Sequence, residues 1–263
     1  MKQNNVVATT KLMKKVGVQL LQWWQDADLL SYTYKRGKEV VSTIDKKAEI
    51  AIRQGIKKIL PHHKIWGEEL GRDRGNLKRE KFIIIDPIDG SKNFLSGNPL
   101  FASQIACIER GKIIWSIVNL PALGELYYAV AGKGAFCNGA RIHPSAQHSL
   151  DLALQCFGIG HDAQNFLRLP RLIAKHLAEP RHYGCSGVHL TFVACGRTDI
   201  NIAVEAAFYD LAPGLLICKE SGLSFATLDG SPYRFGENSL SVVIGNKAIL
   251  QEFRNAVRRG NRR

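Results

Sequence analysis

Phe82-Ile83-Ile84-Ile85 form an apolar run with no polar residue inside it, and the run stops at Asp86. A strand with one wet face alternates polar and apolar residues, so an unbroken run of this kind implies a strand covered on both faces. That requirement confines the chain to architectures with a layer on each side of a sheet. The run ends in two carboxylates, Asp86-Pro87-Ile88-Asp89, followed by Gly90-Ser91 and a segment read as helical from Lys92. Pro87 fixes its own φ, so Asp86, Asp89 and the Ile88 carbonyl can face one point as hard oxygen ligands for a divalent metal. Ser91 is a plausible N-cap, and the N–H groups around Gly90 and Ser91 suit a phosphate. An ordinary Asp-Gly turn capping a helix carries the same letters. An EF-hand loop is excluded, because its spacing demands Glu at the position of Gly97.

Further acids stand at comparable places. Gly67-Glu68-Glu69 follows the short apolar pair Ile65-Trp66, Asp45 ends the segment Val40 to Ile44, and Asp210 opens a helical stretch in Tyr209-Asp210-Leu211-Ala212-Pro213-Gly214. Asp210 reads as an N-cap with a proline in the first turn, where proline is tolerated. Each of these acids alone reads equally well as a cap or a solvated pair.

Periodicity divides the chain. Leu12, Val16, Leu20 and Trp24 recur at helical spacing, and a charged helix runs to Leu60 before Pro61. The runs 101–108, 113–120 and 125–130 are separated by turn signals and read as an antiparallel meander. After 150 strands alternate with helices, including an expected helix over 163–178. The chain is therefore read as an α+β subdomain over 1–150 and an α/β subdomain over 151–263, with a cleft between them.

Composition narrows the classes. The formal net charge is +13, which draws anions such as phosphate esters and also favours non-specific nucleic-acid contact. Arg258, Arg259, Arg262 and Arg263 supply part of it, and a solvated basic surface explains it equally well. The start contains no long apolar segment, so no signal peptide is expected, and no run reaches the ~18 residues of a membrane span. The six cysteines form no C-x-x-C pair and read as the reduced thiols of a cytoplasmic protein. Cys185-Ser186-Gly187 is not a nucleophile elbow, because Val188 stands where glycine is needed. No dinucleotide fingerprint and no Cys/His set with zinc spacing is present in the linear sequence.

Taken together, Gly67-Glu68-Glu69, Asp86-Pro87-Ile88-Asp89-Gly90-Ser91 with Asn93-Phe94, and Asp210 with Ala212 and Gly214 resemble the three signature motifs of the inositol monophosphatase family. The likeness spans about residues 10–255. It implies a layered α/β/α/β/α sandwich of the inositol monophosphatase/fructose-1,6-bisphosphatase type and a lithium-sensitive, Mg²⁺-dependent phosphomonoesterase, usually a homodimer. By resemblance, Glu68, Asp86 and the Ile88 carbonyl hold a first Mg²⁺, Asp86, Asp89 and Asp210 a second, and Glu68 a weaker third. Ser91 and Asp45 orient the attacking water, Gly90 and Ser91 face the phosphate, and Gly184-Cys185-Ser186 contact the substrate alcohol. Glu69 supports the ligand shell.

The sequence departs from the pattern in places. Ser91 replaces the usual Thr, and Tyr209 replaces the usual Trp. Ala203 lies where inositol-gripping members carry Glu, while Glu205 stands two residues on, on the same face of a strand. The substrate is thus an inositol monophosphate or another small phosphate monoester. A 3′(2′),5′-bisphosphate nucleotide, histidinol phosphate and fructose 1,6-bisphosphate stay open. So does a role as an RNA- or transcription-machinery-binding protein. Lys92, Lys35 and Arg36 are candidate cationic cover for the phosphate.

Overall fold

The computed structural model describes residues 2–26, 32–34, 40–159, 180–233 and 240–260. The helix expected over 163–178, together with Lys35, Arg36, Arg262 and Arg263, lies outside the described residues.

The apolar run becomes β5 (Lys81–Asp89), and its neighbours explain why it is apolar throughout. Helices α1 (Lys2–Gln25) and α2 (Thr43–Ile59) come first, with the short pair β1 (Tyr32–Tyr34) and β2 (Val40–Ser42) between them. Next are β3 (Lys64–Gly67) and β4 (Gly71–Arg72); after β5 and the short α3 (Ser91–Leu95) come β6 (Ala102–Glu109), β7 (Lys112–Leu120), β8 (Glu125–Val130), β9 (Gly134–Cys137) and β10 (Ala140–Arg141). They form an eight-stranded sheet in the order β10-β9-β8-β7-β6-β5-β3-β4, antiparallel except for the β3–β5 pair. The expected meander is present and runs on through β9 and β10. Arg110 and Gly111, both at positive φ (50° and 75°), make the tight turn between β6 and β7.

The remaining elements are β11 (Gln155–Ile159), α4 (Ser186–Ala194), β12 (Ile200–Ala206), α5 (Phe208–Ser221), β13 (Ser224–Ala226), β14 (Leu240–Gly245) and α6 (Lys247–Gly260). Their strands form a second sheet in the order β11-β12-β14-β13. Ile83, Ile85, Ile105 and Ile117 pack with Met13, Leu20, Ile44 and Ile52 of α1 and α2. Phe82, Ile84, Ala106 and Val118 share a second core with Val188 and Leu190 of α4, Leu211 and Leu215 of α5, and Ala203 and Val242 of the second sheet. Ile202, Val204 and Val243 meet Ile249, Leu250 and Phe253 of α6 in a third. The layers therefore read α/β/α/β/α, as the resemblance implied. Each isoleucine of β5 is fully buried and contributes about 1.5–3 kcal/mol.

Two helix starts differ from expectation. Gly90, at φ 84°, caps α3, and no side chain caps it, so Ser91 is the first helical residue rather than the N-cap. Likewise α5 starts at Phe208 after Ala207, which puts Asp210 inside the first turn and Pro213 within the helix.

Candidate metal centre

β5 and β6 pair Asp86 with Gln104 but Asp89 with Ala102, so three steps along β5 match two along β6. The extra residue is a bulge at Pro87-Ile88, a place where a proline without an N–H is tolerated. Residues three apart in a regular strand face opposite sides. The bulge turns Asp89 to the side of Asp86, and Gln104 reaches both. Its Nε2 donates to Asp86 Oδ2 (2.9 Å), Asp89 Oδ2 (3.1 Å) and the Asp210 carbonyl (3.1 Å).

Glu68 follows β3 directly, and its N–H donates to the Ile85 carbonyl at 3.1 Å, which sets it beside Asp86 at the carboxyl ends of two parallel strands. Glu49 of α2, wholly buried, braces this turn. Its carboxylate accepts the N–H of Glu69 (2.7 Å) and of Leu70 (3.3 Å), and also Arg53 Nε (2.6 Å). Gly67 is obligatory here, because a Cβ would stand 1.8 Å from Glu49 Oε1. Trp66 stacks on Phe208 with ring centroids 5.1 Å apart, tying the end of β3 to the start of α5, where Asp210 sits.

Ser91 Oγ lies 2.8 Å from Asp45 Oδ1 and 2.9 Å from the Ile88 carbonyl. Both partners are acceptors of its single proton, so the hydroxyl lone pairs stay open to a water O–H. Asp89 accepts the N–H of Ser186 at 3.1 Å and that of Gly187, at the N-terminus of α4, where a carboxylate is favoured. Gly187 has no room for a Cβ, which would meet Ala102 Cβ at 2.8 Å. Gly184 and Cys185 lie against Gly90, where an added Cβ would find the Gly184 carbonyl and Cys185 Cβ, each at 3.1 Å. Asn93 Nδ2 donates to the carbonyls of Tyr183 and Leu100, both at 2.6 Å, and His189 Nε2 accepts the Tyr183 N–H at 2.9 Å. Burial, and then His182, hold His189 down to about 3, so it acts as a neutral acceptor. Lys92 is exposed on α3, and Ala203 is buried in β12. Glu205 sits at φ 49° in the irregular β12–β14 pairing, a left-handed backbone that re-aims its side chain.

Burial and mutual repulsion dominate the electrostatics of these acids. Burial raises the Asp86 carboxyl well above the usual range, and the charges of Glu68, Asp89 and Asp210 raise it further. Asp86 Oδ1 is buried and makes no hydrogen bond among the described residues. An all-oxygen set with one uncommitted buried oxygen fits a hard divalent ion. Burial also pushes Asp89 from 3.8 up to about 6, against the N–H groups of Gly187 and Ser186, which lower it. The folded value exceeds the unfolded one, so metal-free stability is greatest below the unfolded value and is lost as pH rises through about 6. Asp89 accounts for about 3 kcal/mol of that change. Melting curves of chelator-treated protein between about pH 7.5 and about pH 4.5 should show this slope. A saturating divalent cation should flatten it, and equal slopes with and without the cation would contradict the assignment.

The structure thus gathers Asp45, Glu68, Asp86, Ile88, Asp89, Gly90, Ser91, Gly184, Cys185, Ser186 and Asp210 around the ends of β3 and β5 and the starts of α2, α3, α4 and α5. Sequence reading missed Gln104, Glu49 and His189. Their signal was polarity inside apolar segments, as in Ala102-Ser103-Gln104-Ile105.

A model of the inositol monophosphatase family matches residues 2–262. A fructose-1,6-bisphosphatase/inositol-1-monophosphatase of Thermotoga maritima is 35% identical over 214 residues, covering 81% of this chain and 80% of that protein. A Nus factor SuhB of Pseudomonas aeruginosa is 33% identical over 234 residues, covering 85% and 86%. The crystal structure of the extragenic suppressor protein suhB from Bartonella henselae superposes with a TM-score of 0.87 at 29% identity, covering 98% of each chain.

Proposed function

Because the chain belongs to the inositol monophosphatase family, and is thereby a phosphoric monoester hydrolase, we propose that it uses Mg²⁺ to hydrolyse an inositol monophosphate or a similar small phosphate monoester. The observation that carries the reading is Asp86, buried among Glu68, Asp89 and Asp210 with one oxygen uncommitted. Glu68, Asp86 and the Ile88 carbonyl would hold one ion, Asp86, Asp89 and Asp210 a second, and Glu68 a weaker third. Bound there, Mg²⁺ supplies positive charge against the phosphate dianion and lowers the pKa of a water it holds.

The chain's own groups do the rest. Asp45 fixes the Ser91 proton, so Ser91 Oγ accepts from the attacking water and aims it. The N–H groups of Gly90 and Ser91, at the start of α3, face the transferring oxygens. Gly184, Cys185 and Ser186 wall the side of the substrate alcohol, although the Ser186 N–H is committed to Asp89. Ser91→Ala should lower turnover by about 10²-fold, the scale of one positioned acid–base group, and leave Mg²⁺ affinity unchanged. A loss as large as that from removing Asp86 would refute the orienting role.

The chemistry is tested by phosphate release from inositol 1-phosphate, fructose 1,6-bisphosphate, 3′-phosphoadenosine 5′-phosphate and histidinol phosphate, with and without Mg²⁺ and Li⁺. Mg²⁺-dependent turnover that Li⁺ inhibits is expected, and no turnover of any ester would overturn the reading. Substrates beyond inositol stay within the proposal because Ala203 offers the alcohol no carboxylate, while Glu205 is turned out of the regular strand.

All six cysteines are unpaired, which fits a reducing cytoplasm. Among the described residues, no helix is long and apolar enough to cross a membrane. Val7 and Val18, 52% and 58% exposed on one face of α1, suit a homodimer contact that sedimentation would detect. A second reading, contact with RNA or the transcription machinery, is favoured by a cleft of about 550 Å³ lined by Arg79, Lys81, Arg110 and Lys112 with Glu109 and Ile114. RNA binding that weakens with salt and survives Asp89→Asn would support it.

A further inference from the structure

On the face of the large sheet that packs against α1 and α2, away from the carboxylate cluster, three metal-ligating side chains converge. Cys107 and Glu109 stand two apart on β6 and so project from the same face. His63, in the loop between α2 and β3, closes over them. One ligand atom from each lies within 4.8 Å of the others. Cys107 is 1% exposed, and the His63 side chain is 9% exposed. Neither ring nitrogen of His63 makes a hydrogen bond among the described residues, and the 3.9 Å from Nε2 to Glu109 Oε1 is too long for one. An imidazole this buried, with both nitrogens unsatisfied and one aimed at a thiol and a carboxylate, is costly unless something occupies the point between them.

We propose that His63, Cys107 and Glu109 form a second metal site that takes Zn²⁺, distinct in place and chemistry from the Mg²⁺ centre. A thiolate and an imidazole select a borderline-soft ion and reject Mg²⁺, which takes oxygen ligands in octahedral array. Zn²⁺ bonds of about 2.0–2.3 Å place tetrahedral ligands roughly 3.3–3.8 Å apart, so side-chain rotations close the cluster and a water completes the fourth position. Binding displaces the Cys107 thiol proton to solvent, and the thiolate and carboxylate together offset the charge of the dication. Lys81, opposite Glu109 on β5, opposes a cation and holds the affinity below that of a closed four-ligand site. The register separates the two centres. Cys107 and Glu109 pair with Ile83 and Lys81, three and five residues from Asp86, roughly 10–16 Å along the strand. The bound ion ties the loop after α2, and through it β3, to β6.

The full-length protein, saturated with Mg²⁺ and then dialysed against Zn²⁺, should retain one Zn²⁺ per chain by metal analysis. Co²⁺ in its place should give the near-ultraviolet charge-transfer band of a cobalt–thiolate bond. Cys107→Ser should abolish the band. His63→Gln, a loop substitution that spares the core, should weaken Zn²⁺ binding at least ~10-fold. Asp89→Asn should leave both signals intact. Failure to retain Zn²⁺, a band that persists in Cys107→Ser, unaltered binding by His63→Gln, or loss of both signals in Asp89→Asn would each overturn the proposal. None of these readouts depends on phosphate release, so they stand apart from the hydrolase reading.

Discussion

Asp86→Asn should reduce phosphate release by about 10³-fold or more and, in the absence of metal, should melt at a higher temperature than the parent chain. The two effects share one cause. Asp86 is wholly buried, and its ionised form is opposed first by desolvation and then by Glu68, Asp89 and Asp210. Asparagine keeps the shape and can still meet Gln104, but it removes the charge that makes the cluster both unstable alone and attractive to a dication. With excess Mg²⁺ the order of stability should invert, because only the parent gains from binding. Turnover and melting temperature, each measured with chelator and with Mg²⁺, check both parts. A variant that turns over near the parent rate would remove Asp86 from the centre.

Gly67→Ala should be the most damaging single methyl addition near the site. The new Cβ would lie 1.8 Å from Glu49 Oε1 and 2.4 Å from its Cδ, so the carboxylate must move. Moving it strips acceptors from the Glu69 and Leu70 N–H groups and parts the wholly buried Glu49 carboxylate from Arg53, its 2.6 Å partner. Disrupting a buried charged pair costs about 3–5 kcal/mol, a fall in melting temperature of roughly 6–15 °C for a chain of this size. Mg²⁺ affinity should fall as well, since the braced turn carries Glu68. Glu49→Asp withdraws the carboxylate by one methylene, so the double variant should recover part of the loss. Simple additivity in that cycle would disprove the clash.

Much of the architecture was legible because it rests on local pattern. The unbroken run 82–85 announced a strand with two covered faces, and the structure supplies α1 and α2 on one face and α4 and α5 on the other. The meander followed from turn chemistry such as Arg110-Gly111. The acids of the centre were visible as letters, yet what aims them was not. Gln104 opposes Asp86 only through strand register, and Glu49 reaches Glu69 across 20 residues of sequence. The starts of α3 and α5 each fell a residue or more before the position expected. Ser91 turns to Asp45, and Asp210 is the third residue of α5. His63, Cys107 and Glu109 match no linear spacing, because a loop and one strand face bring them together.

The bulge at Pro87-Ile88 makes the candidate metal centre a matter of counting. Residues an even number apart in a regular strand share a face, so Asp86 and Asp89, three apart, share one only because the bulge absorbs the extra residue. Losing one residue there would let β5 pair regularly with β6, which keeps Asp86 and Asp89 on one side but removes the bulge that leaves the Ile88 carbonyl free for Ser91. Losing two would make the aspartates neighbours, which a regular strand turns to opposite faces. The count between the two aspartates therefore shapes the centre as much as their letters do.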